Sequence, residues 1–157
     1  MPIFLLLASH RSSPGRWLHV RPGCSWVAGR NFAFESTLSG RTYARMLRQA
    51  CAEGYHVRLC YLWLPNVGMS LRRVRQRVRK GGHDVPEVDV RRRFLPSLRN
   101  FFALYLPLAD ETLLFNAAAN PPRLVARWEG ETPVVRDPRI YERIQTQGQT
   151  AYDRQAR

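Results

Sequence analysis

Three consecutive segments between residues 31 and 66 constrain the fold most. NFAFES is an apolar run that ends in an acid and a hydroxyl, TYARMLRQACAEG comes after it, and YHVRLCYLWLPN is a β-branched and aromatic run closed by Pro65 and Asn66. In the middle segment Tyr43, Leu47, Ala50 and Cys51 recur at helical spacing and Gly54 supplies a stop, so the pattern predicts a helix over 41–53. The flanking runs read as strands over 31–35 and 55–64, the second long enough to be buried. Two strands joined by a helix of this length most simply form a right-handed crossover between parallel neighbours. The expected class is therefore α/β, and 157 residues suit one domain with its own core.

The rest of the chain extends this reading. Val67 to Lys80 is predicted as a second helix, with Leu71, Val74 and Val78 at threes and fours and Arg72, Arg73, Arg75, Arg77 and Arg79 between them. The loop GGHDVP breaks it at 81–86. Helical pattern resumes from Glu87 to about Leu106, with a break or kink expected at Pro96 and an end before Pro107. Short strands are expected at 111–116, 123–128 and 132–135, and a last helix at 138–144 with Asp137 as its cap and proline in its first turn. Residues 1–29 show no sustained period and read as irregular, and 147–157 read as a disordered polar tail.

The formal charge of +13 directs attention to polyanionic partners: nucleotides, nucleic acid or acidic surfaces. Lys80 is the only lysine, and a basic chain built almost wholly from arginine also reflects base composition, so part of that charge is not a functional signal. Cys24, Cys51 and Cys60 are odd in number and lack a CxxC pair, which supports neither a disulfide framework nor zinc and suggests a reducing, cytoplasmic setting. The apolar run from Ile3 to Ala8 is too short to span a membrane. His10, His19 and His56 have no ligand spacing with acids or cysteines, so no metal site is expected from the residues themselves.

Two places bear on chemistry. Glu35, Ser36 and Thr37 stand at the carboxyl end of a predicted strand, where open α/β sheets hold ligands; alternatively Ser36, Thr37 or Ser39 caps the next helix. The block LRRVRQRVRKGGHDVPEVDVRRRF, residues 71–94, offers two arginine-studded helical arms around a glycine-containing loop. Guanidinium forks match phosphate oxygens and stay charged, so the block suits a lid over a phosphorylated ligand, and a solvated basic face is the plainer alternative. His83 either meets a phosphate or fixes the loop with Asp84. Tyr61, Trp63, Phe101, Phe102, Tyr105 and Trp128 read as core positions, which leaves a nucleic-acid-binding module without a stacking platform and makes it the secondary reading.

Taken together, FAFESTLSGR, GYHVRLCYLWLPN, RRVRQRVRKGGHDVPEVDVRRRF and LADETLLFNA resemble, in this order, the stand-alone bacterial branch of the zeta-toxin family of P-loop kinases, over roughly residues 28–137. The resemblance implies a three-layer, parallel P-loop kinase-like sheet over residues 30–146, and ATP-dependent phosphoryl transfer to a small-molecule hydroxyl of the UDP-N-acetylglucosamine type. It further implies ATP and magnesium as cofactors, a nucleotide or nucleotide-sugar substrate, and an antitoxin-like protein as a possible partner. By the same resemblance Glu35 and Thr37 contact the acceptor. The resemblance makes Arg77 and Arg93 the expected phosphate-facing lid arginines, with Arg73 and Arg92 as alternates, and Gly81, Gly82 and His83 join them as expected phosphate or nucleotide contacts.

One part of the pattern is absent. A P-loop requires G-x-x-x-x-G-K-[ST], and no such string occurs; Lys80 comes after residue 35 instead of preceding it, and Gly15, Gly23 and Gly29 are succeeded by Arg16, Cys24 and Arg30. The expectation is thus an incomplete kinase fold, its first strand, P-loop and first helix missing or replaced by residues 1–29, the chain being either a truncated or misframed copy of a kinase or a remnant that no longer turns over ATP, with catalysis impaired. A sheet that lost its central strand would leave edges that must be paired or covered.

Overall fold

The strands expected at either side of the first helix both form, but they are not neighbours. The computed structural model describes residues 4–10, 17–19 and 30–153. In chain order these give β1 (Phe4–His10), β2 (Trp17–His19), β3 (Asn31–Ser36), α1 (Thr42–Ala52), β4 (Tyr55–Trp63), α2 (Val67–Arg79) and α3 (Glu87–Asn100). A π-helical turn (Phe101–Tyr105) and a 3-10 turn (Leu106–Leu108) lead to β5 (Glu111–Asn116), β6 (Arg123–Glu129), β7 (Pro133–Val135) and α4 (Pro138–Asp153). The described strands join in one sheet of order β2-β3-β1-β4-β5-β6-β7.

β1 lies between β3 and β4 and runs antiparallel to both, Phe4 standing opposite Ser36 on one side and Tyr61 on the other. Only β2–β3 and β4–β5 are parallel pairs. The protein is mixed α/β with a mostly antiparallel sheet, which corrects the expected parallel one. The physical reason is that β3 and β4 do point the same way, as a crossover demands, while the place between them is taken by a strand from a segment without a sequence pattern. A fully apolar run such as FLLLA carries no alternation to read, and its sheet position depends on partners tens of residues away.

The expected three layers are corrected as well. Along β4 the side chains alternate: Tyr55, Val57, Leu59, Tyr61 and Trp63 are buried, whereas His56 and Arg58 are exposed and Cys60 and Leu62 half-buried. α1, the π turn and α4 pack on the first face, while Leu62 of the opposite face meets the base of α2 and α3. Tyr43 of α1 packs on Phe34 with ring centroids 4.8 Å apart, Phe101 packs on Tyr61 at 4.2 Å, and Tyr141 of α4 on Trp128 at 5.9 Å. These aromatics form one continuous core with Leu47, Leu59, Leu98, Leu114 and Ile144, and Tyr61, Trp63, Tyr105 and Trp128 take the core positions expected of them. The opposite face carries charge: Arg58 and Arg127 both meet the carboxylate of Glu111, and Arg127 also meets Glu129.

Two differences concern helix ends. Pro96 does not break α3, which runs from Glu87 to Asn100 and loosens into the π turn only afterwards. The last helix starts as expected, with Asp137 Oδ1 accepting from Ile140 N at 3.1 Å, but it runs on to Asp153 through most of the segment expected to be a tail. Gly148 within it is buried against the Phe102 ring, 3.1 Å from where a Cβ would sit, so packing on the α3 module overrides weak local propensity. No helix among the described residues is long and apolar enough to cross a membrane.

Candidate functional site

The carboxyl ends of β3, β4 and β5 lie along one edge of the sheet, because the three strands share a direction. At that edge β3 gives way to a tight, strained loop. Leu38 adopts φ 51°, a left-handed conformation that a leucine enters only when its surroundings impose it, and its side chain is fully buried. Ser36 Oγ accepts from Leu38 N at 3.2 Å, and the hydroxyls of Thr37 and Ser39 bond each other at 2.9 Å. The helix module fixes the loop from the other side: Asn100 Nδ2 donates to Leu38 O at 2.8 Å, and the Tyr105 hydroxyl donates to Gly40 O at 2.6 Å. Burial pushes the Tyr105 phenol up to about 12. None of the three hydroxyls caps α1, whose N-cap is Arg41 without a side-chain bond, so the capping alternative for Ser36, Thr37 and Ser39 is excluded.

Glu35 is exposed, and its side chain leaves β3 on the face turned away from the helices: Glu35 and Cys60 both stand opposite Leu5 of β1. Thr37 stands at the edge itself. At the neighbouring strand ends α2 and α3 form a basic arm. Its base is tied to the sheet by Leu64, Phe94 and Ala117, and its two helices meet through Leu71, Val74 and Val90. Arg73 reaches the sheet, donating to Ala117 O just beyond β5. From β3 to β5 is three strand spacings, roughly 14 Å, so Thr37 and Arg73 share an edge without being in contact range.

The arginines chosen from the sequence each hold a partner inside the protein. Arg77 Nε donates to His83 O at 3.0 Å. Arg92 bonds Asp89 at 2.6 Å, and Arg93 approaches the same carboxylate at 3.6 Å. The Arg92 hydrogen bond holds the Asp89 carboxyl below the usual range, with Arg93 adding to the effect. Arg93 lies two helical turns before Asn100 on the same side of α3, about 10 Å from the residue that grips the Leu38 loop, whereas Arg99 bonds Asn100 Oδ1 itself at 3.2 Å. Arg77 belongs to the far tip.

The glycine pair has a clear structural job. Gly81 N bonds Val78 O and Gly82 N bonds Arg77 O, both at 2.9 Å, and Gly81 has φ 80°; together these make a Schellman stop at the end of α2. A Cβ on Gly82 would stand 2.5 Å from Arg77 Cγ. His83 contributes its carbonyl, not its exposed imidazole, to fixing this loop, and Asp84 bonds Val85 N at 2.7 Å. Arg72, Arg79 and Lys80 are the exposed cations of α2 and its C-cap with no ion pair or hydrogen bond to a described side chain.

Cys51 and Cys60 are free thiols. Burial pushes both up, with the Asp110 charge adding at Cys51, so neither is an activated nucleophile. Cys24 lies outside the described residues. No group of three or more His, Cys, Asp or Glu suited to a metal occurs among the described residues. Sequence reasoning missed Asn100, Tyr105 and Leu38, which build the loop. The signal available was an asparagine in an otherwise apolar helical stretch, since a buried amide needs bonding partners.

Comparison with known proteins adds little. No protein-family profile matches the chain, and no solved structure matches it. A protein of Haemophilus influenzae, described as uncharacterized, is 36% identical over 63 residues, which is 40% of this chain and 45% of that protein. The matched region thus spans less than half the length of that relative.

Proposed function

We propose that this chain carries the acceptor side and the arginine arm of a zeta-toxin-like kinase domain, and binds a phosphorylated small molecule of the UDP-N-acetylglucosamine type at the carboxyl edge of β3, β4 and β5. The observation that carries this reading is the Leu38 loop. A buried leucine held in a left-handed conformation by two long-range hydrogen bonds is strain that serves no helix cap, and it fixes Thr37 directly after Glu35 and Ser36 at the edge where ligands of α/β sheets gather. In this reading Thr37 orients a sugar hydroxyl from the edge itself and Arg93 turns from Asp89 to a ligand phosphate, exchanging one charge-assisted bond for another, whereas Glu35, on the face turned away from the helices, is not brought to the same side.

The described residues do not fit ATP and magnesium bound in the P-loop manner. The strand between β3 and β4 runs antiparallel and ends at the opposite edge, where His10 stands against Tyr55, and Lys80 sits at the exposed tip of the arm. In this reading Arg77 and Arg93 take no part in phosphoryl transfer from ATP.

Titration calorimetry with UDP-N-acetylglucosamine tests the reading. Thr37→Ala is expected to weaken binding about tenfold, a loss typical of one hydrogen bond to a ligand, and Glu35→Gln to leave it unchanged. Binding indifferent to Thr37→Ala, or no binding by the intact chain, refutes it. A second reading, a module for nucleic acid, is favoured by one observation only: Arg72, Arg79 and Lys80 remain exposed and unpartnered among the described residues. It requires affinity for single-stranded RNA that falls steeply with salt and weakens when these three are changed to glutamine; an affinity insensitive to either removes it.

A further inference from the structure

A second cleft, apart from Glu35, Thr37 and Arg93, opens at the carboxyl end of β4. There a cleft of about 490 Å³ is lined by Pro65, Arg139, Glu142, Arg143, Thr146 and Gln147. Its back wall is preorganised. Trp63, 2% exposed, donates from Nε1 to Gln147 Oε1 at 2.8 Å, and Gln147 Nε2 donates to Pro65 O at 3.3 Å, so the amide is locked between β4 and the residue before the N-cap of α2. The Arg143 guanidinium lies over the Trp63 ring, 5.7 Å from its centroid. Such a contact uses the face of the guanidinium and leaves its N–H edge free for an acceptor.

Arg139 stands one helical turn away on the same wall. Neither arginine makes an ion pair among the described residues, although Glu142 is close in sequence to both. Thr146 is occupied, its hydroxyl donating to Glu142 O at 3.0 Å. Asn66 caps α2 by accepting from Met69 N at 3.0 Å, and the first turn of that helix holds no acid, so its partial positive charge adds to the same corner. Two unpaired guanidinium groups against one carboxylate, a held indole and amide, and a cleft of small-molecule size call for a dianion attached to a modest organic body.

We propose that Arg139 and Arg143 bind the phosphate of a small phosphate monoester in the cleft beside Pro65. The inference goes beyond the preceding reading and does not need it, because it uses none of its residues. The test tracks the Trp63 indole N–H resonance, assigned with Trp63→Phe, while inorganic phosphate, AMP and glucose 1-phosphate are titrated into the intact chain. Inorganic phosphate is expected to move this resonance saturably. Arg139→Gln and Arg143→Gln, exposed changes on one helix face that leave the remaining spectrum in place, are expected to weaken the effect about tenfold each and together to abolish it. Tighter binding of AMP than phosphate identifies a nucleotide as the source of the group, and tighter binding of glucose 1-phosphate identifies a sugar phosphate. A resonance that phosphate does not move, or that moves equally in the double variant, overturns the proposal whatever the result with Glu35 and Thr37.

Discussion

Replacing Asn100 tests whether the loop after β3 is held by the helix module or merely lies beside it. Asn100 is 2% exposed, and its amide supplies the hydrogen bond to Leu38 O. Asn100→Ala leaves that carbonyl buried without its donor, a loss of about 1–3 kcal/mol; the second bond of the amide, received from Arg99 at 3.2 Å, is half-exposed and adds little. With a central value of about 2 kcal/mol, a chain of this size should lose roughly 4–8 °C in melting temperature. Tyr105→Phe keeps the ring in the core and removes only the bond to Gly40 O; since Gly40 is exposed, water replaces the donor in part and about 1 kcal/mol is expected.

The pair matters more than either change. Both residues grip the same short loop, so once one is gone the loop relaxes and the other bond loses much of its worth. The double variant should therefore fall short of the sum by at least about 0.5 kcal/mol, the threshold for coupling within one network. Urea unfolding, with midpoints compared at constant slope, reads all three values. A cost below about 0.5 kcal/mol for Asn100→Ala, or strict additivity in the double variant, would mean that the left-handed Leu38 is imposed by something other than these bonds, and the structural case for Thr37 as a positioned group would fall with it.

Gly81→Ala places a Cβ on a backbone at φ 80° and should cost about 1 kcal/mol locally; the expected sign is faster hydrogen exchange of the Lys80, Gly81 and Gly82 amides with unchanged global stability, and unchanged exchange contradicts the Schellman assignment. Alkali should destabilise the fold in a defined window. Tyr105 titrates at about 12 when folded against 10.0 for the free side chain, and burial raises Tyr61 also, so above pH 10 the unfolded chain holds fewer protons than the folded one. Stability is then fully present below pH 10 and declines toward pH 12, and Tyr105→Phe should flatten part of that decline in denaturation midpoints measured across the window.

The helices and strands from 31 to 135 are legible in the sequence because their periods are local: the spacing in α1, the arginine-interrupted apolar stripe of α2, and the runs of β5 and β6 all match what forms. Two departures have one origin. The apolar content of β4 suggests a continuous buried run, yet His56, Arg58 and Cys60 sit at alternate positions, which is the mark of a sheet covered on a single face. β1 escapes a sequence reading because strand direction and neighbour are non-local properties that no window over residues 1–29 encodes. At the site, Glu35 and Thr37 stand out by their place after a strand, whereas Asn100 and Tyr105, more than sixty residues on, become visible only through the bonds they make. The double glycine is the reverse case: its residues carry a helix stop, and the stop accounts for them without a ligand.

The direction of β1 separates binding from turnover. From Phe4, level with the carboxyl ends of β3 and β4, the strand runs six residues to His10, about 20 Å along the sheet. A phosphate-gripping loop in a P-loop kinase must instead leave the central strand at the edge where the acceptor lies, since the transferred group travels only a few ångströms between donor and acceptor oxygens. The end of β1 at His10 is several times too far from Thr37 to meet that demand. The proposed ligand contacts of Thr37, Arg93, Arg139 and Arg143 need no such loop, for β3, β4, α2, α3 and α4 position them. On the proposed reading such a chain binds phosphorylated small molecules at its carboxyl edge.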